Sequence, residues 1–232
     1  MDFWRAFCPF CSGMLLPNKY IYFLMRNNEE INEKVKEIKR SFRLMMDGVA
    51  SQSMREKGLN YHVNWGASIP MLKQKAAEIG KDYDLSIALW KENVRECKIL
   101  ATMIMPADVI LPEVVDIWME QTPSQEIAEM ASFHLYQHLP FAAEKAYMWI
   151  ASATETQQLC GFHVLSRIFG RGQEPNERGI NEFLDQALAA LQGPSLAVRK
   201  AALSALLRFA DLGLVYERLA KTAAKSINLD VF

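Results

Sequence analysis

The sequence predicts an all-α protein, an α-solenoid of stacked helix pairs. Three observations predict it. Apolar residues recur at helical spacing along almost the whole chain after Glu29. No stretch alternates with the two-residue period of a strand. The helical runs are short and are separated by turn chemistry such as QTPS, LP and LQGPS. A single pair of such length cannot bury its own apolar face, so neighbours must stack. No strict sequence period accompanies the repeat.

The stretch Leu85 to Ala101 shows the unit. Leu85, Ala88 and Leu89, then Val94, Cys97, Ile99, Leu100 and Ala101, fall at helical spacing, and Asn93 divides them into two short helices. Glu29 to Lys57 is expected to form one long helix with a break near Gly48. Its apolar stripe is Ile31, Val35, Ile38, Phe42, Met45, Met46 and Val49. Lys34, Lys36, Lys39, Arg40 and Arg43 form a basic face, either a solvated one that Glu30 and Glu33 partner at helical spacing or a phosphate-facing strip. A loop follows from Gly58. Gly66 suits a backbone turn, Ser68 a cap, and Pro70 the first turn of a helix. Further helices are expected at 68–79, 83–91, 94–105, 111–120, 124–138, 141–150, 154–169, 176–191, 196–210 and 212–227. The segment GRGQEPNE from Gly170 lacks the Lys-Ser or Lys-Thr dipeptide of a phosphate loop and reads as a connection.

Residues 1–28 read differently. They are rich in aromatics, carry Pro9 and Pro17, and show no helical period. Arg5 is a weak basic start, and Pro17, Asn18 and Lys19 interrupt the apolar run, so neither a signal peptide nor a membrane span is expected. The domain division expected is an extension over 1–28 and the solenoid over 29–232.

Half of the 232 residues are hydrophobic, enough for a continuous core, and the net charge is −1. The chain is therefore no basic nucleic-acid binder by composition alone. Residues 1–100 hold 16 Lys and Arg against 12 Asp and Glu. Residues 101–165 hold only Lys145 against eight acids, and residues 166–232 hold nine against seven. An acidic middle between mildly basic ends places any contact with a phosphate backbone at the ends of the solenoid. Four cysteines without framework spacing fit a reducing, cytoplasmic setting. Cys8 and Cys11 form a lone CxxC with no second pair or nearby histidines, and read as unpaired thiols rather than a zinc site. His134 and His138 stand four apart but lack the HExxH pattern, so no metal site is expected. His62 and His163 are isolated. Glu126 and Glu129 open a helix, where carboxylates complement the macrodipole.

Leu89 and Trp90, followed after a short gap by Arg95, Glu96, Lys98, Leu100 and Ala101, resemble the HEAT-like DNA alkylation repair enzymes, the AlkD-like DNA glycosylases. Ser41 to Arg55 and Gly66 to Pro70, with Leu72 and Lys73, are similar to that family's N-terminal helix and its loop into the next pair. The resemblance covers roughly residues 29 to 225 and is strongest before residue 121. It implies a HEAT-like fold, double-stranded DNA as partner, no cofactor, and a concave surface holding two tryptophans, an aspartate and an arginine. A carboxylate there stabilises positive charge growing on the sugar, tryptophan faces attract the cationic base, and arginine pairs with phosphate.

Laid on Trp118 to Glu129 without a gap, the family pattern makes Trp118 a structural tryptophan and puts Ser124 at an asparagine. Gln125 then falls at the functional tryptophan and Glu129 at the catalytic aspartate. Leu159 takes the place of the arginine before Cys160, Gly161 and Phe162. Arg199, Lys200 and Ala201 resemble a basic pair and alanine, with Ser204 where a second tryptophan belongs. Only Glu129 keeps its chemistry, as a longer carboxylate. The expected function is therefore DNA binding with weak or absent alkylpurine excision. The alternatives are a protein-interaction scaffold that binds another protein, or a glycosylase built on Glu129. Arg199, Lys200 and Arg208, all in one late helix, are the expected nucleic-acid contacts, with Arg208, nine residues on, expected to share roughly the face of Arg199.

Overall fold

The structure is a computed structural model that describes residues 18–59 and 61–231, with side chains from Asn28 onward. The cysteine pair Cys8 and Cys11 lies outside the described residues. Among the described residues twelve α-helices follow in order: α1 (Asn18–Leu44), α2 (Gly48–Glu56), α3 (Ile69–Ile79), α4 (Tyr83–Lys91), α5 (Arg95–Ile104), α6 (Pro112–Glu120), α7 (Gln125–His134), α8 (Ala142–Ile150), α9 (Glu155–Gly170), α10 (Glu177–Gln192), α11 (Leu196–Ala210) and α12 (Leu214–Ser226). Among the described residues the sole β feature is an isolated parallel bridge between Val63 and Val94.

The boundaries follow local chemistry. Asp47, Asp82, Ser124, Asn176 and Ser195 each accept a hydrogen bond from a backbone N–H of the first turn they precede. Pro70 and Pro112 lie in first turns, where a missing N–H costs nothing. Two expectations need adjustment. The first long helix starts earlier, at Asn18, and ends at Leu44, because Asp47 caps a separate α2. The helix expected to reach His138 ends at His134. Leu135 leaves helical geometry, and a 3-10 turn over Tyr136–His138 follows. Both Leu135 and Tyr136 are fully buried there, and Tyr136 packs on Trp149 at 5.2 Å.

Two layers result. Helices α3, α5, α7, α9 and α11 pack on one another in succession as the inner layer. Behind them, α4 pairs with α5, α8 with α9, and α10 and α12 with α11. Helix α6 joins this outer layer through two side-chain contacts. Trp118 stacks on Trp90 of α4 with centroids 4.2 Å apart and planes 4° apart, and Asp116 bonds Lys145 of α8. Helix α1 packs on α4. One continuous core runs from Val35 to Ala220. Helices α8 and α9 approach closely: a Cβ on Gly161 would stand 2.7 Å from the Ile150 side chain and 2.8 Å from the Ala146 carbonyl.

The basic face of α1 behaves as a solvated, paired surface. Lys34 bridges Glu30, Lys36 bridges Glu33, and Lys39 reaches Glu92 on the next pair. No described helix is long and apolar enough to cross a membrane.

Candidate nucleic-acid interface

Residues four apart on a helix share a face, and α7, α9 and α11 each leave one such stripe open, whereas α5 is buried along its whole length. On α7 and its 3-10 turn the stripe is Gln125, Glu129, Phe133 and Gln137. On α9 it is His163, Arg167 and Gly170, and on α11 it is Lys200, Ser204, Leu207 and Arg208. Lys73 is the exposed cation of α3 that faces them.

The centre of this inner face is a small pocket of about 160 Å³ between α7 and α9, lined by Glu129, Met130, Ser132, Phe133, His163 and Arg167. Gln125 Nε2 donates to Glu129 Oε1 at 2.7 Å, and His163 Nε2 lies 4.0 Å from the same oxygen. Burial holds the His163 imidazole below its ordinary pKa, as does Arg167, and Glu129 opposes them. Phe133 carries a cation from each neighbouring side of the stack. The Arg167 guanidinium carbon lies 4.5 Å from the ring centroid, and Lys73 Nζ, reaching over α5, lies 5.5 Å from it.

Further cations line the edge where the inner helices end. Lys81 donates to the carbonyls of Met103 and Met105 at the end of α5. Arg171 donates from both terminal nitrogens to Gln137, beyond α7. The Arg208 side chain lies over Gly170 at the end of α9. Cations at helix C-termini complement the macrodipole, and here they form a row from α3 to α11. Burial and the nearby Lys73, His138 and Lys81 depress the His134 pKa to about 4.

The opposite edge is sealed. Segment 61–67 crosses the starts of α5 and α7. The Arg95 backbone N–H donates to the Val63 carbonyl, and Tyr61 Oη bonds Ser124 Oγ at 2.7 Å and Glu126 Oε2 at 2.6 Å. Arg95, 2% exposed, donates to both oxygens of Glu126, to the Ala67 carbonyl and to Glu96. Burial pushes the Glu126 carboxyl up, but the bonds from Arg95 and Tyr61 outweigh it and hold the group below its ordinary pKa. Glu126 is thus half of a buried ion pair, not only a macrodipole partner, and it is separated from Glu129 in role. Lys98 points back to the Trp90 carbonyl at 2.8 Å and over the Trp90 ring.

The positions suggested by the family pattern fall as follows. Gln125 and Ser204 are exposed on the inner face and offer no aromatic surface, and Leu159 is buried at 2% exposure. Trp90, Trp118 and Trp149 are buried and Trp65 packs on Phe42, so no described tryptophan stands free on this face. Arg199 and Arg208 do not share a face. Nine residues are two and a half helical turns, which puts them on opposite sides of α11. Arg199 donates to the Gly193 carbonyl just beyond α10, whereas Lys200 and Arg208 are exposed on the inner stripe, Arg208 with Asp211 at 3.4 Å.

The acidic balance of residues 101–165 does not carry over to the inner face. Of the eight acids in 101–165, Asp116 is paired with Lys145 and Glu126 with Arg95. Glu113 and Glu120 belong to α6 and Glu144 to α8, in the outer layer. Lys73 and Arg167, from outside the segment, converge on its inner face. Sequence reasoning missed Lys73, Phe133, Arg167 and Arg171. The four-residue spacing of Gln125, Glu129, Phe133 and Gln137, and of His163, Arg167 and Arg171, carried the missing signal.

The two-layered succession of helix pairs defines a HEAT-like repeat α-solenoid. Its fold is similar to that of a solved protein from a new family related to the HEAT-like repeat DNA glycosylases with affinity for branched DNA structures. The TM-score is 0.74 at 15% identity, over 85% of this chain and 85% of that one. No protein-family model matches the sequence, and no curated protein matches it.

Proposed function

We propose that the protein is a DNA-binding HEAT-like solenoid with little or no alkylpurine glycosylase activity. One observation carries this reading. The inner face offers a row of cations, Lys73, Arg167, Arg171 and Arg208 with Lys200 nearby, yet provides neither the tryptophans nor the arginine that the glycosylase pattern requires. A row of this kind neutralises phosphates, and each neutralised phosphate adds about 0.9 to the slope of log affinity against log salt. The solved neighbour's affinity for branched DNA supports DNA as the partner class. Glu129 sits in the central pocket, where it remains the one carboxylate that a glycosylase reading can use.

Duplex affinity of the purified protein, measured at several salt concentrations, tests the proposal. Binding that weakens steeply with salt, and is weakened further by Arg167→Glu, is the expected result. No binding at low salt would favour a protein-interaction scaffold. Base release from alkylated DNA would favour the glycosylase built on Glu129.

A further inference from the structure

Phe133 is the only exposed Phe, Tyr or Trp among the described residues, and it stands at the middle of the inner face. An exposed ring in a nucleic-acid groove has two uses. It can stack an unpaired base, or it can hold cations by its face. The surroundings of Phe133 favour the second. Arg167 already lies 4.5 Å from the ring centroid, within the range of an attractive cation–π contact. A base stacking on that surface would have to displace the guanidinium. Lys73 approaches the same ring from the far side of α5.

Neither cation has a carboxylate within salt-bridge distance or a hydrogen-bond acceptor among the described residues. Arg171, in contrast, spends its donors on Gln137, and Arg208 bonds Asp211. The ring fixes the positions of Lys73 and Arg167 without consuming a single N–H.

We infer that Lys73, Phe133 and Arg167 form a phosphate clamp in which the ring is a spacer between two cations, so that the inner face takes the backbone of a DNA duplex and not an unstacked base. This rests on the DNA-binding reading above. Guanidinium and ammonium donors held in place and left open are suited to phosphate oxygens, with Arg167 able to bind in a bidentate fork. A duplex offers phosphates at its surface and keeps its bases stacked inside, so the clamp asks for no unpairing.

The test compares wild type, Phe133→Leu, Phe133→Tyr and Arg167→Gln on two probes, a mixed-sequence duplex of about twenty base pairs and an oligo-dT single strand. Each is measured across a series of salt concentrations, with thermal melting to confirm that the variants fold. Phe133→Leu should weaken duplex binding by about threefold to tenfold and oligo-dT binding by no more than that. Phe133→Tyr should restore the wild-type value, since it keeps the ring. Arg167→Gln should lower the salt slope on duplex by about 0.9. If Phe133→Leu costs oligo-dT more than duplex at an unchanged salt slope, the ring stacks bases and the clamp is wrong while DNA binding stands. If wild type binds neither probe at low salt, both the clamp and the DNA-binding reading fall.

Discussion

Arg95 and Glu126, 31 residues apart, form a bidentate ion pair at the starts of two successive inner helices. Arg95 is almost wholly buried, and Tyr61 closes the pair from a third segment. Breaking a buried pair strands the remaining charge, which costs about 3–5 kcal/mol. Glu126→Ala should therefore lower stability by that order in urea unfolding, and Tyr61→Phe by only about 1 kcal/mol. Equal, small effects from both would show that water reaches Arg95.

The same pair sets a pH response. The folded Glu126 pKa lies below its ordinary 4.5. Its contribution is thus fully present above that value and is lost as pH falls through the lower folded value. His134 acts in a higher window. With an ordinary value of 6.5 and a folded value of about 4, it is protonated more readily in the unfolded chain between those limits. Stability should decline on acidification through that window by up to about 1.4 kcal/mol per pH unit. His134→Gln should flatten the decline between pH 6.5 and 4, and Glu126→Gln should flatten the part below 4.5. Unfolding curves across pH for the three proteins check both.

Little or no 3-methyladenine or 7-methylguanine should be released from alkylated DNA. Gln125, Leu159 and Ser204 supply no aromatic face and no phosphate-binding cation. Robust release by the purified protein, abolished by Glu129→Ala, would overturn this expectation.

Lys200 and Arg199 should behave differently despite being neighbours. Lys200→Glu, on the inner stripe, should weaken duplex binding equally across sequences and flatten the salt slope by about one unit or more. Arg199→Glu, which loses the bond to the Gly193 carbonyl, should affect stability and leave the slope alone. Titrations of both variants at several salt concentrations separate the roles.

Gly161→Ala should destabilise by about 1–3 kcal/mol, since the added methyl meets backbone and an Ile150 side chain at once. Thermal melting measures it, and no change would mean that α8 and α9 part easily.

Much of the fold was legible because it depends on local rules. Helical spacing, the first-turn proline Pro70, and the break at Asn93 all act within a few residues. The motif Arg95, Glu96 and Lys98 that carries the family resemblance proves to be buried framework, which is why it reports fold and says little of activity. The candidate site was legible only in its losses. Lys73, Phe133 and Arg167 belong to three helices separated by whole repeats, and no spacing in the chain announces that they meet. Summing charge along consecutive residues mixes the outer and inner layers, so the acidic middle hid a cationic inner face. The register of Arg199 and Arg208 was a matter of helical phase and needed only the 3.6-residue turn.

The parallel indoles of Trp90 and Trp118, with the Lys98 ammonium 4.5 Å from the Trp90 centroid, have an optical consequence. Two chromophores so close and so nearly parallel share their excitation, and a cation against one ring perturbs its emission. The stack joins α4 to α6, so this coupling exists only while that junction is intact. In an array held together by nearest-neighbour interfaces, unfolding can begin at one end and stop part-way. The indole pair thus makes the protein its own local thermometer: its near-ultraviolet dichroism registers the opening of one junction, while far-ultraviolet helicity registers the whole array.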